Sequence, residues 1–262
     1  MLDVIVTAGY SPDEPDPLAQ AEGVSQKALI DVAGHPLVWW TVRTLRETPG
    51  IGHIVVVGID PALDIDFGEN VWCLPNDADH LGNVMNGANH ILSLNPESSQ
   101  GLIVSGDIPF LRTETVRWLM ETGLSQDYDF YYTVVQDTVM ETQFPGAHRS
   151  YVRMKEGRFC GGDMFFFRMA ALQGNLPLAR RLMAERKHAL RQAMHFGIVP
   201  LLKLVLGRLS IPEGERIAQR LLQCRVKVLI SPYADLAMDV DKPHQLEMAR
   251  RVLANRPEAR SG

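Results

Sequence analysis

Cysteine is scarce in this 262-residue chain: Cys73, Cys160 and Cys224 stand far apart, with no CxxC pair and no Cys/His spacing of a metal knuckle. An odd, scattered set argues against a disulfide framework and favours a reducing compartment, so a cytoplasmic location is expected. Long apolar runs are missing too. The longest, Phe196 to Leu206, has eleven residues and is broken by Lys203, whereas a membrane-spanning helix needs roughly 20. The apolar stretch before Gly9 has no basic residues ahead of it and is too short for a signal-peptide core, so secretion is not expected. There is no excess of positive charge. With 26 Lys+Arg against 31 Asp+Glu the formal net charge is −5, which argues against a nucleic-acid partner that needs its phosphates neutralised. What remains is an ordinary globular composition, 46% hydrophobic, long enough to bury a core without staples.

Hydrophobic periodicity then sets the fold class. Val4-Ile5-Val6 reads as a buried strand ending in Thr7-Ala8-Gly9, and residues 10–26, with three prolines and four acids, read as one long loop. The spacing of Leu37, Val38, Val42 and Leu45 predicts a helix stopped at Pro49-Gly50, followed by a strand over 54–57. A strand over 71–74 precedes a helix carried by Leu81, Val84, Met85, Ala88, Ile91 and Leu92. Strands over 102–104 and 130–135 flank a helix with Thr113 as its expected N-cap. This alternation predicts an α/β fold, a Rossmann-like open and mostly parallel sheet with helices on both faces. The second half departs from it. A hairpin at 151–158, a separate strand at 164–167 and a basic helix at 178–195 are expected, then helices near 213–222 and 243–254 around a strand at 226–230. The 178–195 segment carries a net charge of +4. It reads as a solvated helix packed on the core, the alternative being, with the apolar run that follows, a peripheral contact with an anionic membrane. His188 and His195 share one face of that helix and read as surface residues. Trp39, Trp40 and Phe165 to Phe167 read as core.

In such a sheet, ligands sit beyond the carboxyl ends of the strands. After the first strand come small residues and then a lone lysine, Lys27, a combination suited to phosphate oxygens. Neither GxxxxGK[ST] nor GxGxxG is present, so P-loop and dinucleotide readings lose their motif. After the fourth strand stands Asp107 in Ser105-Gly106-Asp107-Ile108-Pro109, either a ligand for a hard cation such as Mg²⁺ or a turn former. Asp239 and Asp241 offer a second acidic pair, with Asp241 also placed as the N-cap of the last helix.

Four blocks together resemble the molybdenum-cofactor guanylyltransferase-like (MobA-like) NTP transferases, of the nucleotide-diphospho-sugar transferase fold. They are Val4 to Gly9 with Lys27 to Leu37, Leu81 to Ala88, Ser105 to Leu111 and Met238 to Pro243. The resemblance implies a cytoplasmic nucleotidyltransferase that moves an NMP group from an NTP to a phosphorylated or acidic acceptor, releasing pyrophosphate with Mg²⁺ as cofactor. It implies Lys27 and Asp107 as catalytic residues, Thr7, Ala8, Gly9, Lys27, Gly82 and Asn83 around the nucleotide, and Asp107, Asp241 and Asp239 around the metal. A single domain over 1–255 is expected, divided into a nucleotide-binding half (1–135) and an acceptor-binding, closing half (136–255), with a tail over 256–262.

Arg149, Tyr151 and Arg153, with Asp163 nearby, form a cationic group suited to an anionic acceptor, or else a charged sheet edge. Two features depart from the family: Tyr10 follows Gly9 where a second glycine is usual, and no arginine precedes Lys27 in a loop of net charge −3. They keep open a catalytically weak or inactive nucleotide-binding, regulatory protein on the same fold. A sugar-nucleotide glycosyltransferase would more often show a DxD after its central strand. Base, acceptor and oligomeric state are not legible.

Overall fold

A computed structural model of the protein describes residues 1–11, 13–77, 79–174 and 197–256. The basic 178–195 segment, with His188 and His195, and residues 257–262 of the expected tail lie outside the described residues. The strands are β1 (Leu2–Thr7), β2 (Asp31–Val32), β3 (His35–Pro36), β4 (Ile51–Val57), β5 (Val71–Leu74), β6 (Gln100–Ser105), β7 (Phe130–Gln136), β8 (Val152–Met154), β9 (Gly157–Arg168) and β10 (Val226–Ser231). The helices, in chain order, are α1 (Pro17–Ala21), α2 (Leu37–Glu47), α3 (His80–Leu94), α4 (Thr113–Ser125), α5 (Asp137–Gln143), α6 (Met169–Gly174), α7 (Ile198–Val205), α8 (Ile211–Leu222) and α9 (Pro243–Leu253).

The main sheet runs β10-β7-β9-β6-β1-β4-β5, with β8 paired to β9. β1 lies parallel to β4 and β6, β5 parallel to β4, and β10 parallel to β7. The all-apolar interior of β1 explains its central place. Val4 and Val6 join a core packed under α2, α4 and α9, while Ile5 turns to the opposite face and packs with Val84, Ala88 and Ile91 of α3. Helices therefore cover both faces, as the alternating pattern predicts. Trp40, Phe166 and Phe167 are fully buried core residues, whereas Trp39 and Phe165 are only partly covered.

Several local expectations are corrected. The 10–26 loop contains α1, whose start is fixed by Pro17 and by Asp16 Oδ1, which accepts from Leu18 N and Ala19 N at 2.9 and 3.0 Å. The separate strands expected around 158 and 164–167 are one twelve-residue strand, β9. It lies not at the periphery but antiparallel between β6 and β7. Thr113 does not cap α4: the Ncap position is Arg112, whose N–H donates at 2.9 Å to the buried Asp235 from across the chain. Asp235 also accepts from the Thr115 hydroxyl at 2.7 and 2.9 Å. Nor does Asp241 cap α9. Gln245 Oε1 accepts from both Asp241 N and Lys242 N at 2.9 Å, so the helix start is satisfied without the Asp241 carboxylate.

Candidate active site

The site is built where β1 and β6 end side by side. Thr7 is in register with Ser105, and Gly106 N donates to Thr7 O at 2.9 Å. This sets Ala8-Gly9 next to Asp107, whose Oδ1 accepts from the Ser105 hydroxyl at 2.6 Å. The Asp239–Asp241 block reaches the same point because Val240 N donates to Asp107 O at 3.0 Å. One oxygen from each of Asp107, Asp239 and Asp241 lies within 4.8 Å of the others.

Two cations close this acidic cluster. Lys27 Nζ, on a single 3-10 turn (Lys27–Leu29), lies 2.5 Å from Asp107 Oδ2 and also contacts Asp241 Oδ1. Burial disfavours its charge, but Asp107 and Asp241 more than offset that, so the ammonium is held above its ordinary pKa. Arg149 pairs with Asp239 and stands 3.7 Å from Asp163. Its loop is tied to the acidic block by Lys242 Nζ, which donates to His148 O at 2.9 Å.

Asp107, Asp239 and Asp241 thus outnumber the two cations, leaving the cluster negative, with Asp163 beside it. Among the described residues, Asp163 Oδ2 and Arg149 Nε are buried without a hydrogen-bond partner. An all-oxygen, acidic donor set with unsatisfied polar atoms beside it fits Mg²⁺. Burial first, and then Asp107 and Asp241, push the Asp163 carboxyl up to about 7 against the pull of Arg149 and Lys27. A carboxyl that holds its proton in the folded chain well above the ordinary 3.8 destabilises the fold as pH rises from about 4 to about 7. Asp163→Asn should therefore raise the thermal midpoint by a few degrees at pH 8 without divalent ions, with the gap closing towards pH 4. A gap independent of pH in scanning calorimetry would refute this.

Beside the cluster opens a cavity of about 520 Å³, lined by Tyr10, Gln26, Gly58, Asp60, Asn76 and Asp77 among others. Its wall is held by the expected Asn83 together with Asn76 and Asp77, which sequence reasoning missed. Asn76 Nδ2 donates to Tyr10 O at 2.9 Å, Asn76 Oδ1 accepts from Tyr10 N and Asn83 Nδ2 at 3.1 Å, and Asn83 Oδ1 accepts from Asp77 N at 2.7 Å. Asn83 is 3% exposed and orients the loop. Gly82 N caps onto Asp79 Oδ1 at 2.7 Å, and the Thr7 hydroxyl points to Val104 O at 3.5 Å inside the sheet. The only local signal for Asn76 was its place in a turn after β5.

Gly58 was also missed. Its φ is +109°, and an added Cβ would lie 2.5 Å from Ala8 C and Gly9 Cα. Gly58→Ala should push the Ala8–Gly9 loop out of place and raise the KM for nucleotide roughly tenfold, the scale of 1–3 kcal/mol of local strain. An unchanged KM in steady-state assay would count against that placement.

Of the residues expected around an acceptor, the structure brings Arg149 and Asp163 to the cluster and turns the others away. The Tyr151 hydroxyl donates to Glu141 Oε1 at 2.8 Å, and Arg153 runs against Gly207. The acidic loop is partly neutralised within the fold. Asp16 caps α1, and Glu22 pairs with Arg250 at 2.5 Å.

A family model described as the MobA-like NTP transferase domain matches residues 20–198. The chain belongs to that family. A hypothetical transferase structure from Thermus thermophilus is similar over 94% of this chain and 99% of its own, with 33% identity and a TM-score of 0.82. A CMP:2-keto-3-deoxy-manno-octonic acid synthetase complexed with CTP shares the fold at 15% identity and TM-score 0.59, over 97% of this chain and 99% of that one. So does a 2-C-methyl-D-erythritol 4-phosphate cytidylyltransferase, also from Thermus thermophilus, at 16% identity and TM-score 0.54, over 96% and 98%. None of the curated proteins matches this chain. Membership makes it a nucleotidyltransferase, with a nucleoside triphosphate as substrate. Among the described residues no helix is long and apolar enough to cross a membrane.

Proposed function

We propose that this MobA-like transferase moves an NMP group from an NTP to a phosphorylated or acidic small-molecule acceptor, with Mg²⁺ as cofactor. The observation that carries the reading is the convergence of Lys27, Asp107, Asp239 and Asp241 at the ends of β1 and β6, beside a nucleoside-sized cavity. An acceptor oxygen attacks the α-phosphorus, the bond to the β-phosphate oxygen breaks, and pyrophosphate leaves with the bonding electrons. Catalysis of this kind is mostly positioning and charge neutralisation.

Each residue has a part. Asp107, Asp239 and Asp241 would hold Mg²⁺, which when bound neutralises phosphate charge and aligns the reacting group. Lys27 exchanges its carboxylate partners for phosphate oxygens. The Tyr10–Asn76 wall encloses base and ribose, and Arg149 draws the acceptor's anionic group towards the cluster. The inactive, regulatory alternative rests on Tyr10, on the missing arginine and on the acidic loop, and the internal partners of Asp16 and Glu22 weaken only the last of these grounds.

Pyrophosphate release is the deciding measurement. Each of the four NTPs is supplied with Mg²⁺ and a panel of phosphorylated and carboxylate acceptors. Release that needs both substrates supports the reading, and nucleotide binding with no release under any combination would replace it with the regulatory one. Arg149→Ala should raise the acceptor KM at least tenfold with the NTP KM little changed. An unchanged acceptor KM would remove Arg149 from that role.

A further inference from the structure

α7 reads Ile-Val-Pro-Leu-Leu-Lys-Leu-Val, with one charge in eight residues. A helix apolar on all sides belongs in a core or against a partner. Here it lies on the surface. Ile198, Val199, Leu202, Val205 and the following Leu206 are 75, 64, 55, 77 and 61% exposed. At 3.6 residues per turn these five fall within an arc of about 120°. Pro200, Leu201 and Leu204 occupy the other side and are partly covered. α7 packs on β8, where Val152 is a further exposed aliphatic at 51%. The helix closes the fold with one apolar face and presents a second to solvent, which a free surface does not explain.

The charges beside this face indicate what covers it. Arg153 runs over Gly207, where an added Cβ would meet its Cδ at 2.6 Å, and Lys155 N donates to Leu209 O at 2.9 Å. Together with Arg208 these residues stand at the C-terminal end of α7. All three are exposed and form no ion pair among the described residues. Nearby acids are already engaged, Glu213 with Lys203 at 2.5 Å and Glu156 with Ile211 N at 3.1 Å. A second copy seated by two-fold symmetry would bring these like charges together. An anionic bilayer instead offers acyl chains to the aliphatic face and phosphates to the cations. We propose that α7 is a docking surface on which this protein sits reversibly at a membrane rich in anionic phospholipid.

Sedimentation of the full-length protein with phosphatidylcholine vesicles, with and without 30% phosphatidylglycerol, provides the test. Binding is expected to the anionic vesicles only and to weaken with salt. The triple variant Arg153→Gln, Lys155→Gln, Arg208→Gln should bind on the order of a hundredfold more weakly, at about 1 kcal/mol per cation near the surface. Leu202→Asp with Val205→Asp should lose binding tenfold or more while leaving pyrophosphate release in solution unchanged. Because both side chains are exposed the fold should persist, and the triple variant, which leaves the apolar face intact, tests the proposal independently. Absence of wild-type binding to anionic vesicles at low salt would overturn it. So would full binding by the Leu202/Val205 variant, which would assign the effect to the basic segment alone, or a dimer in sedimentation velocity that this variant dissociates.

Discussion

Asp107→Asn is expected to lower nucleotidyl transfer by roughly a hundred- to a thousandfold, the scale of the several kcal/mol that a correctly held cation contributes to charge stabilisation. The substitution preserves shape. Asparagine can still accept from the Ser105 hydroxyl, and the backbone carbonyl that receives Val240 N is untouched. The loss should therefore be chemical, with an unchanged thermal midpoint in EDTA. It should come with weaker binding of Mn²⁺, used as a paramagnetic substitute for Mg²⁺. A variant retaining more than a tenth of the wild-type turnover, or binding Mn²⁺ as tightly, would remove Asp107 from the metal site.

Lys27→Met should move two measurements in opposite directions. With no nucleotide bound, the Lys27 ammonium lies against Asp107 and Asp241 and so competes with a divalent cation for the same oxygens. Removing it should raise the affinity of the nucleotide-free protein for Mn²⁺ by an order of magnitude or more, since a unit charge at this range is worth up to about 4 kcal/mol at an effective dielectric of 20. It should also lower kcat/KM for NTP at least a hundredfold, because no group then replaces the ammonium at the phosphates. The midpoint should fall by several degrees in EDTA, where the acidic cluster is left under-compensated, and recover in Mg²⁺. If Mn²⁺ affinity and turnover fell together, Lys27 would be a structural partner of the carboxylates and nothing more.

How much of this was readable in advance depends on sequence separation. β1, β4 and β6 announce themselves through β-branched runs, and Asp107 stands close enough to the end of β6 to be placed by rule, whereas Lys27 is found through its motif block. The Gly161-Gly162 pair made β9 look like two elements, although Gly162 is required there because a Cβ would run into Leu236 and Thr133. Three prolines masked α1, although Pro17 starts it. Contacts between distant segments left no local trace. Asp235 serving the start of α4, Asn76 bridging Tyr10 and Asn83, and Arg149 pairing with Asp239 each join residues more than six positions apart, and no periodicity encodes them.

The central place of β9 also bears on the order in which the molecule is made. A ribosome delivers β1, β4, β5 and β6 first, so that Lys27 and Asp107 can meet while β6 still has a bare edge awaiting β9. Such an edge invites pairing with other chains until it is filled. Asp239 and Asp241 emerge long after Asp107, and the hydrogen bond from Val240 N to Asp107 O ties the later segment to the earlier one. A nascent chain can therefore carry Lys27 and Asp107 but not the complete acidic cluster until residue 241 has left the tunnel.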